Sequence, residues 1–127
     1  MRIEILLTHE PIVIPPLALR SREVGACAEF SGIVRELEHG TPLAGLHYEA
    51  YEPMARARLT HHFTDLAAQH PCAAVLFIHR LGWVPVGEPS LFIRVLAAHR
   101  REALRFLAES IERLKLDVPI WKRAPTN

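Results

Sequence analysis

The chain has 127 residues, is 50% hydrophobic and 23% charged, and carries fifteen Lys plus Arg against fourteen Asp plus Glu, a formal charge of +1. A chain of this length buries roughly 65% of its unfolded surface, so a core without disulfide or metal staples is expected, and disordered, collagen-like and low-complexity classes are excluded. The charge lacks the positive excess of a protein that wraps duplex nucleic acid or anionic lipid, so neither partner is expected and any anion site must be local.

No apolar run reaches the ~18 residues of a membrane span, and the apolar stretch near Met1 is too short for a secretory signal, which leads to a cytoplasmic expectation. No linker or repeat divides the sequence, so one domain is expected over residues 1–127, with 122–127 a short C-terminal tail. Ile3 to Leu7 reads as an opening strand. Pro11, Pro15 and Pro16 interrupt regular structure before a short helical piece around Leu17 to Val24. Gly25 to Val34 reads as a core strand, Glu36 to Pro42 as a polar turn containing His39-Gly40, and Leu43 to Tyr51 as a second strand that pairs with the first as a hairpin.

Pro53 opens a helix to about His70, with an apolar stripe of Ala55, Leu59, Phe63, Leu66 and Ala67, and Pro71 stops it. Ala73 to Leu81 reads as a buried strand, Trp83 to Val86 as a short extended piece, and Ser90 to Ala98 as another strand. A final helix runs from about His99 to Leu116, ended by Pro119, with Leu104, Leu107, Ala108, Ile111 and Leu114 as its core-facing stripe. Strands interrupted by two long helices point to an α+β fold with a mainly antiparallel sheet.

Of the fifteen cations, thirteen are Arg and two are Lys, Lys115 and Lys122. An arginine stays protonated whatever surrounds it, whereas a lysine amine can lose its proton and act as a nucleophile or base. Lys115 continues the stripe through 104, 108 and 111, so partial burial there would lower its pKa; the bland alternative is a stem that snorkels to water at a helix end. At the other end of that helix, His99, Arg100 and Arg101 set cations beside exposed backbone N–H groups, a cradle for phosphate or carboxylate unless Glu102 pairs locally with Arg101 or Arg105. Arg35 leaves a strand end after Gly32, which permits close approach to the backbone. Cys27 and Cys72 are read as buried small hydrophobes, Tyr48 and Tyr51 as sheet packing, and the His and Cys spacings offer no metal site.

Taken in order, Gly25-Ala-Cys-Ala-Glu-Phe-Ser-Gly-Ile-Val-Arg35, Tyr48-Glu-Ala-Tyr51 with Met54-Ala55, His79-Arg-Leu-Gly82 leading to Gly87-Glu88, His99-Arg100, and Leu114-Lys115 with Pro119-Ile-Trp-Lys122 resemble the large, catalytic subunit family of molybdopterin synthase. The resemblance spans Gly25 to Lys122; each block is weak by itself, and the ordered set is specific. It implies that family's α+β fold and a sulfurtransferase that moves sulfur from the C-terminal thiocarboxylate of a small ubiquitin-like subunit to cyclic pyranopterin monophosphate, forming the molybdopterin dithiolene without a metal or other cofactor. It further implies Lys115 and Lys122 as catalytic residues, and Arg35, His99, Arg100, Ile33, Val34 and Arg123 as substrate-binding residues. The implied assembly is a homodimer within a heterotetramer, in which His99 and Arg100 serve the neighbouring chain's Lys115. Where the family commonly has Glu two residues beyond the second lysine, this chain has Ala124, and it stops at Asn127 where many continue. That departure supports an alternative, a non-catalytic pterin-binding or assembly subunit of the same fold; a small anion-binding regulatory domain is a further rival.

Overall fold

A computed structural model describes residues 1–19, 21–38 and 40–123, Glu38 by its backbone alone. Its elements in chain order are β1 (Arg2–Thr8), β2 (Ala26–Ile33), β3 (Leu37–Glu38), β4 (Thr41–Pro42), β5 (Gly45–Ala50), α1 (Glu52–Gln69), β6 (Ala74–Arg80), β7 (Gly82–Pro85), β8 (Pro89–Ala97), α2 (Arg100–Asp117) and β9 (Ile120–Arg123). The main sheet has the order β1-β6-β8-β2, with β1 parallel to β6 and the other pairs antiparallel; a second sheet has the order β7-β5-β9, and β3 and β4 form a small hairpin. The α+β expectation with a mainly antiparallel sheet and two long helices is therefore met.

The core lies between the main sheet and the two helices. Leu7, Ala28, Val75, Phe77, Ile93 and Val95 from the strands meet Ala55, Leu59, Phe63 and Leu66 of α1 and Ala103, Phe106 and Leu107 of α2. Phe63 joins the layers, with ring centroids 6.0 Å from both Phe77 and Phe106. The α1 stripe is as the 3.6-residue period predicts. At the back of the helix pair, the His62 Nε2 to Asp117 Oδ1 distance is 2.5 Å, Arg113 lies 2.7 Å from Asp65, and His70 pairs with Glu109.

The expected hairpin between β2 and β5 does not form. β2 pairs with β8 instead, and β5 lies between β7 and β9. The nine-residue β8 offers β2 a long register, and one cross-strand pair, Glu29 opposite Arg94, is an ion pair at 2.6 Å that fixes the alignment. Residues 34–44 then carry the chain to the second sheet. Two glycines open strands of the second sheet. A Cβ on Gly45, which begins β5, would sit 2.5 Å from the Val84 carbonyl oxygen, and Gly82, which begins β7, has φ +80°.

The helical piece expected around Leu17 to Val24 is also absent among the described residues, which there adopt no helix. A helix at that place would have no apolar face to bury, since Leu17 and Leu19 are both exposed. The segment instead lies across the outer face of the main sheet, where the Pro15 carbonyl accepts a hydrogen bond from Arg94 at 2.8 Å and Pro16, Leu17 and Ala18 border Leu76 and Leu96. Cys27 is exposed rather than buried, and Cys72 is half-buried, its thiol pushed up to about 11 by burial. Lys122 and Arg123 belong to β9, not to a tail; His39 and Ala124–Asn127 lie outside the described residues.

The α2 stripe requires a correction. Its buried residues are Ala103, Phe106, Leu107 and Ser110, with Ile111 and Leu114 against the core, while Leu104 is 57% exposed and Ala108 is exposed. The observed face keeps Leu107, Ile111 and Leu114 of the expected stripe and turns toward Ala103, Phe106 and Ser110, away from Leu104 and Ala108. Phe106→Ala should therefore destabilise the chain by about 3–5 kcal/mol, whereas Leu104→Ala should change stability by no more than about 0.5 kcal/mol, both read from urea unfolding of the isolated chain.

The hydrogen bond from His62 holds the Asp117 carboxyl below its usual value of 3.8. An acid with a depressed folded-state pKa contributes stability above its unfolded pKa and loses it as the pH falls through the folded value. Asp117→Asn should accordingly flatten the decline in thermal midpoint below about pH 4 while leaving the fold intact by circular dichroism.

Candidate functional site

The two lysines arrive at one place by a reversal at the end of α2. Pro119 disfavours helical geometry at the residue before it, and Val118 is extended at φ −78°, ψ 121°. Val118 is buried, Ile120 N–H donates to the Val118 carbonyl at 2.8 Å, and Tyr51 N–H donates to the Pro119 carbonyl at 3.1 Å. The chain then returns as β9 along β5, with Lys122 directly opposite Tyr48. Opposed residues of an antiparallel pair project from the same face, so Tyr48 and Lys122 stand side by side.

Between the last turns of α2, β9 and the main sheet lies a cavity of about 440 Å³. Lys115, Ile111 and Leu114 come from α2, Trp121 and Lys122 from β9, Tyr48 from β5, His79 from β6, Ser90 and Leu91 from β8, and Phe30 and Gly32 from β2. None of the residues lining it is Asp or Glu. Lys115 is exposed at its rim, not part-buried as the expected stripe implied, because the row through Leu104 and Ala108 faces outward.

His79 is the buried titratable group of this wall, 4% exposed. Its Nδ1 lies 2.8 Å from the Arg80 carbonyl oxygen, which can only accept, so Nδ1 carries the proton and donates. Burial lowers its pKa below 6.5, partly offset by this hydrogen bond. The ring packs edge-on to Tyr48 at 5.0 Å between centroids. Arg80, on the other face of β6, is ion-paired to Glu88 at 2.8 Å. His79 and Tyr48 were absent from the residues expected to act; a lone histidine in an otherwise apolar strand was the available signal for the first.

Among the described residues the cavity wall holds Lys115 and Lys122, and not Arg35, His99, Arg100, Ile33, Val34 or Arg123. Ile33, 56% exposed, ends β2; Val34 is buried and exchanges backbone hydrogen bonds with Glu88 and Gly87; Arg35 follows, exposed. Arg123 pairs with Glu49 at 3.0 Å. His99 is the N-cap residue of α2 without a side-chain cap, and with Arg100 it is exposed about 22 Å from Lys115 along the helix. Glu102, the local alternative to an anion at this helix start, has its Oε2 buried without a hydrogen-bond partner. Gly32 admits no unusual approach within the chain, since an added Cβ would meet Leu91 at an ordinary 3.5 Å. No group of three or more His, Cys, Asp or Glu side chains suited to a metal occurs among the described residues, and no helix there is long and apolar enough to cross a membrane.

A family model described as MoaE protein matches residues 7–117. The molybdopterin synthase catalytic subunit of Oryza sativa subsp. indica is 39% identical over 105 residues, covering 83% of this chain and 54% of the rice protein. That of Bacillus subtilis (strain 168) is 38% identical over 105 residues, covering 83% of this chain and 67% of its own. The X-ray crystal structure of molybdopterin synthase from Staphylococcus aureus aligns with a TM-score of 0.83 at 32% identity, over 98% of this chain and 90% of that one. The chain spans about half the length of the rice relative. The matched core, the two-helix α+β architecture and these likenesses agree, and the chain belongs to the MoaE protein family.

Proposed function

We propose that the chain is the catalytic subunit of a molybdopterin synthase, a single-domain enzyme that transfers sulfur from a thiocarboxylated small ubiquitin-like subunit to cyclic pyranopterin monophosphate. The observation that carries this reading is the meeting of the chain's two lysines, seven residues apart in sequence, in one cavity without a lining carboxylate. Acyl transfer from sulfur calls for an amine that can accept an acyl group or relay a proton, and lysine supplies both. Lys115 and Lys122 take these roles, and two cationic side chains in one cavity wall favour a phosphorylated substrate and a C-terminal carboxylate analogue.

Arg35, His99 and Arg100, with Ile33, Val34 and Arg123, complete the substrate pocket in this reading. Because His99 and Arg100 stand at the opposite end of α2 from Lys115, a second copy of the chain supplies them, which agrees with a homodimer carrying one small subunit at each end. The reaction draws on no metal or other cofactor, and a cytoplasmic enzyme fits these substrates.

Reconstitution tests the reading: the chain, thiocarboxylated small subunit and cyclic pyranopterin monophosphate, with product followed by the fluorescence of its oxidised pterin. Wild type should form product, and Lys115→Arg and Lys122→Arg, which keep the charge, should each lower turnover at least about 100-fold. Normal turnover in both variants excludes an amine role. Binding of the small subunit without product from wild type would instead favour the non-catalytic scaffold, the alternative that Ala124 suggests, and Ala124→Glu would then be the variant to restore activity. Arg35→Ala and Arg100→Ala should weaken pterin binding by about 1.5–3 kcal/mol, the contribution of a charge-assisted hydrogen bond, measured by titration calorimetry.

A further inference from the structure

The cavity contains one group that its lysines do not account for. His79 is buried in the wall with its Nδ1–H committed to the Arg80 carbonyl, so the nitrogen left to serve the cavity is Nε2, a lone-pair acceptor in the neutral ring. The backbone fixes this tautomer, since the carbonyl cannot donate. The titratable groups that share the cavity are Tyr48 from β5, Lys115 from α2 and Lys122 from β9; Arg80 points to the other face of the sheet, where Glu88 neutralises it. Burial disfavours an imidazolium, partly offset by the hydrogen bond to the Arg80 carbonyl, and keeps the ring an acceptor at neutral pH. No Asp or Glu lines the cavity to take that role in its place.

We propose that His79 accepts a proton during the reaction, its Nε2 acting as general base toward the water that frees the carrier subunit from the substrate. The inference rests on the synthase reading above. When a thiocarboxylate sulfur bonds to a substrate carbon, the product is a thioester joining the two. Water then attacks: an O–C bond forms at the acyl carbon, the C–S bond breaks, and the sulfur keeps the bonding electron pair and stays on the substrate as a thiolate. One water proton passes to His79 Nε2, and the other leaves with ionisation of the new carboxylic acid. No oxidant or reductant is required. The Arg80 carbonyl, already bonded to Nδ1–H, strengthens that bond as the ring becomes cationic.

His79→Asn is the discriminating variant, because the asparagine amide nitrogen reaches the Nδ1 position and keeps the donor to the Arg80 carbonyl while Nε2 is lost. In the reconstituted assay it should lower kcat about 100-fold, with KM for cyclic pyranopterin monophosphate changed less than about twofold. Wild type should show an acidic limb in kcat with a midpoint below 6.5, and the residual activity of the variant should lack it. Product from wild type with an undiminished kcat in a folded His79→Asn, or a wild-type kcat with no acidic limb, overturns the assignment of His79; the wild-type profile decides even if the variant fails to fold. Absence of product from wild type overturns the synthase reading itself, a distinct outcome.

Discussion

The structure depends on one strand being buried on both faces. β8 runs through the main sheet with seven of its nine residues buried, helices on one side and the proline-containing segment on the other. A strand covered on both faces must be apolar at successive positions, and the chain supplies Leu91, Phe92, Ile93 and Val95. The charged exception is Arg94, whose charge is tolerable because Glu29 and the Pro15 carbonyl satisfy it. That cluster aligns β2, anchors the N-terminal segment and leaves the end of β8, at Ser90 and Leu91, as a wall of the cavity.

The site is built on rigid neighbours. Val118 and Pro119 turn the chain sharply between a helix and a strand, and the Tyr51 to Pro119 hydrogen bond ties that turn to the start of α1. Both lysines are therefore carried by backbone elements fixed relative to one another, Lys115 on α2 and Lys122 on β9. Such fixed placement suits the acyl transfer proposed above, which needs its reacting groups held in register.

The charge balance of the whole chain says little about the cavity. Acidic groups are used elsewhere: Glu29 on Arg94, Glu88 on Arg80, Asp65 on Arg113, Asp117 on His62, and Glu49 on Arg123. A formal charge of +1 thus coexists with a pocket whose ionisable wall is two lysines, a tyrosine and a neutral histidine. The total therefore does not report which ionisable groups line the cavity.

The sequence by itself determined the two helices, most of the strands and the α+β class, because periodicity and proline positions are local properties. It also singled out Lys115 and Lys122 through the rarity of lysine, and the ordered blocks from Gly25 to Lys122 carried the family. Strand partners were a tertiary decision. The β2–β8 pairing rests on Glu29 meeting Arg94 across 65 residues, a contact that no local pattern encodes. The helix face of α2 was likewise settled by Phe106 fitting between Phe63 and the sheet, which turns Ala103 and Ser110 inward and leaves Leu104, of the same expected stripe as Leu107, exposed. His79 acquires its fixed tautomer only when β6 is buried beneath Tyr48, because burial and a carbonyl partner are features of the folded chain and a histidine in a sequence has neither.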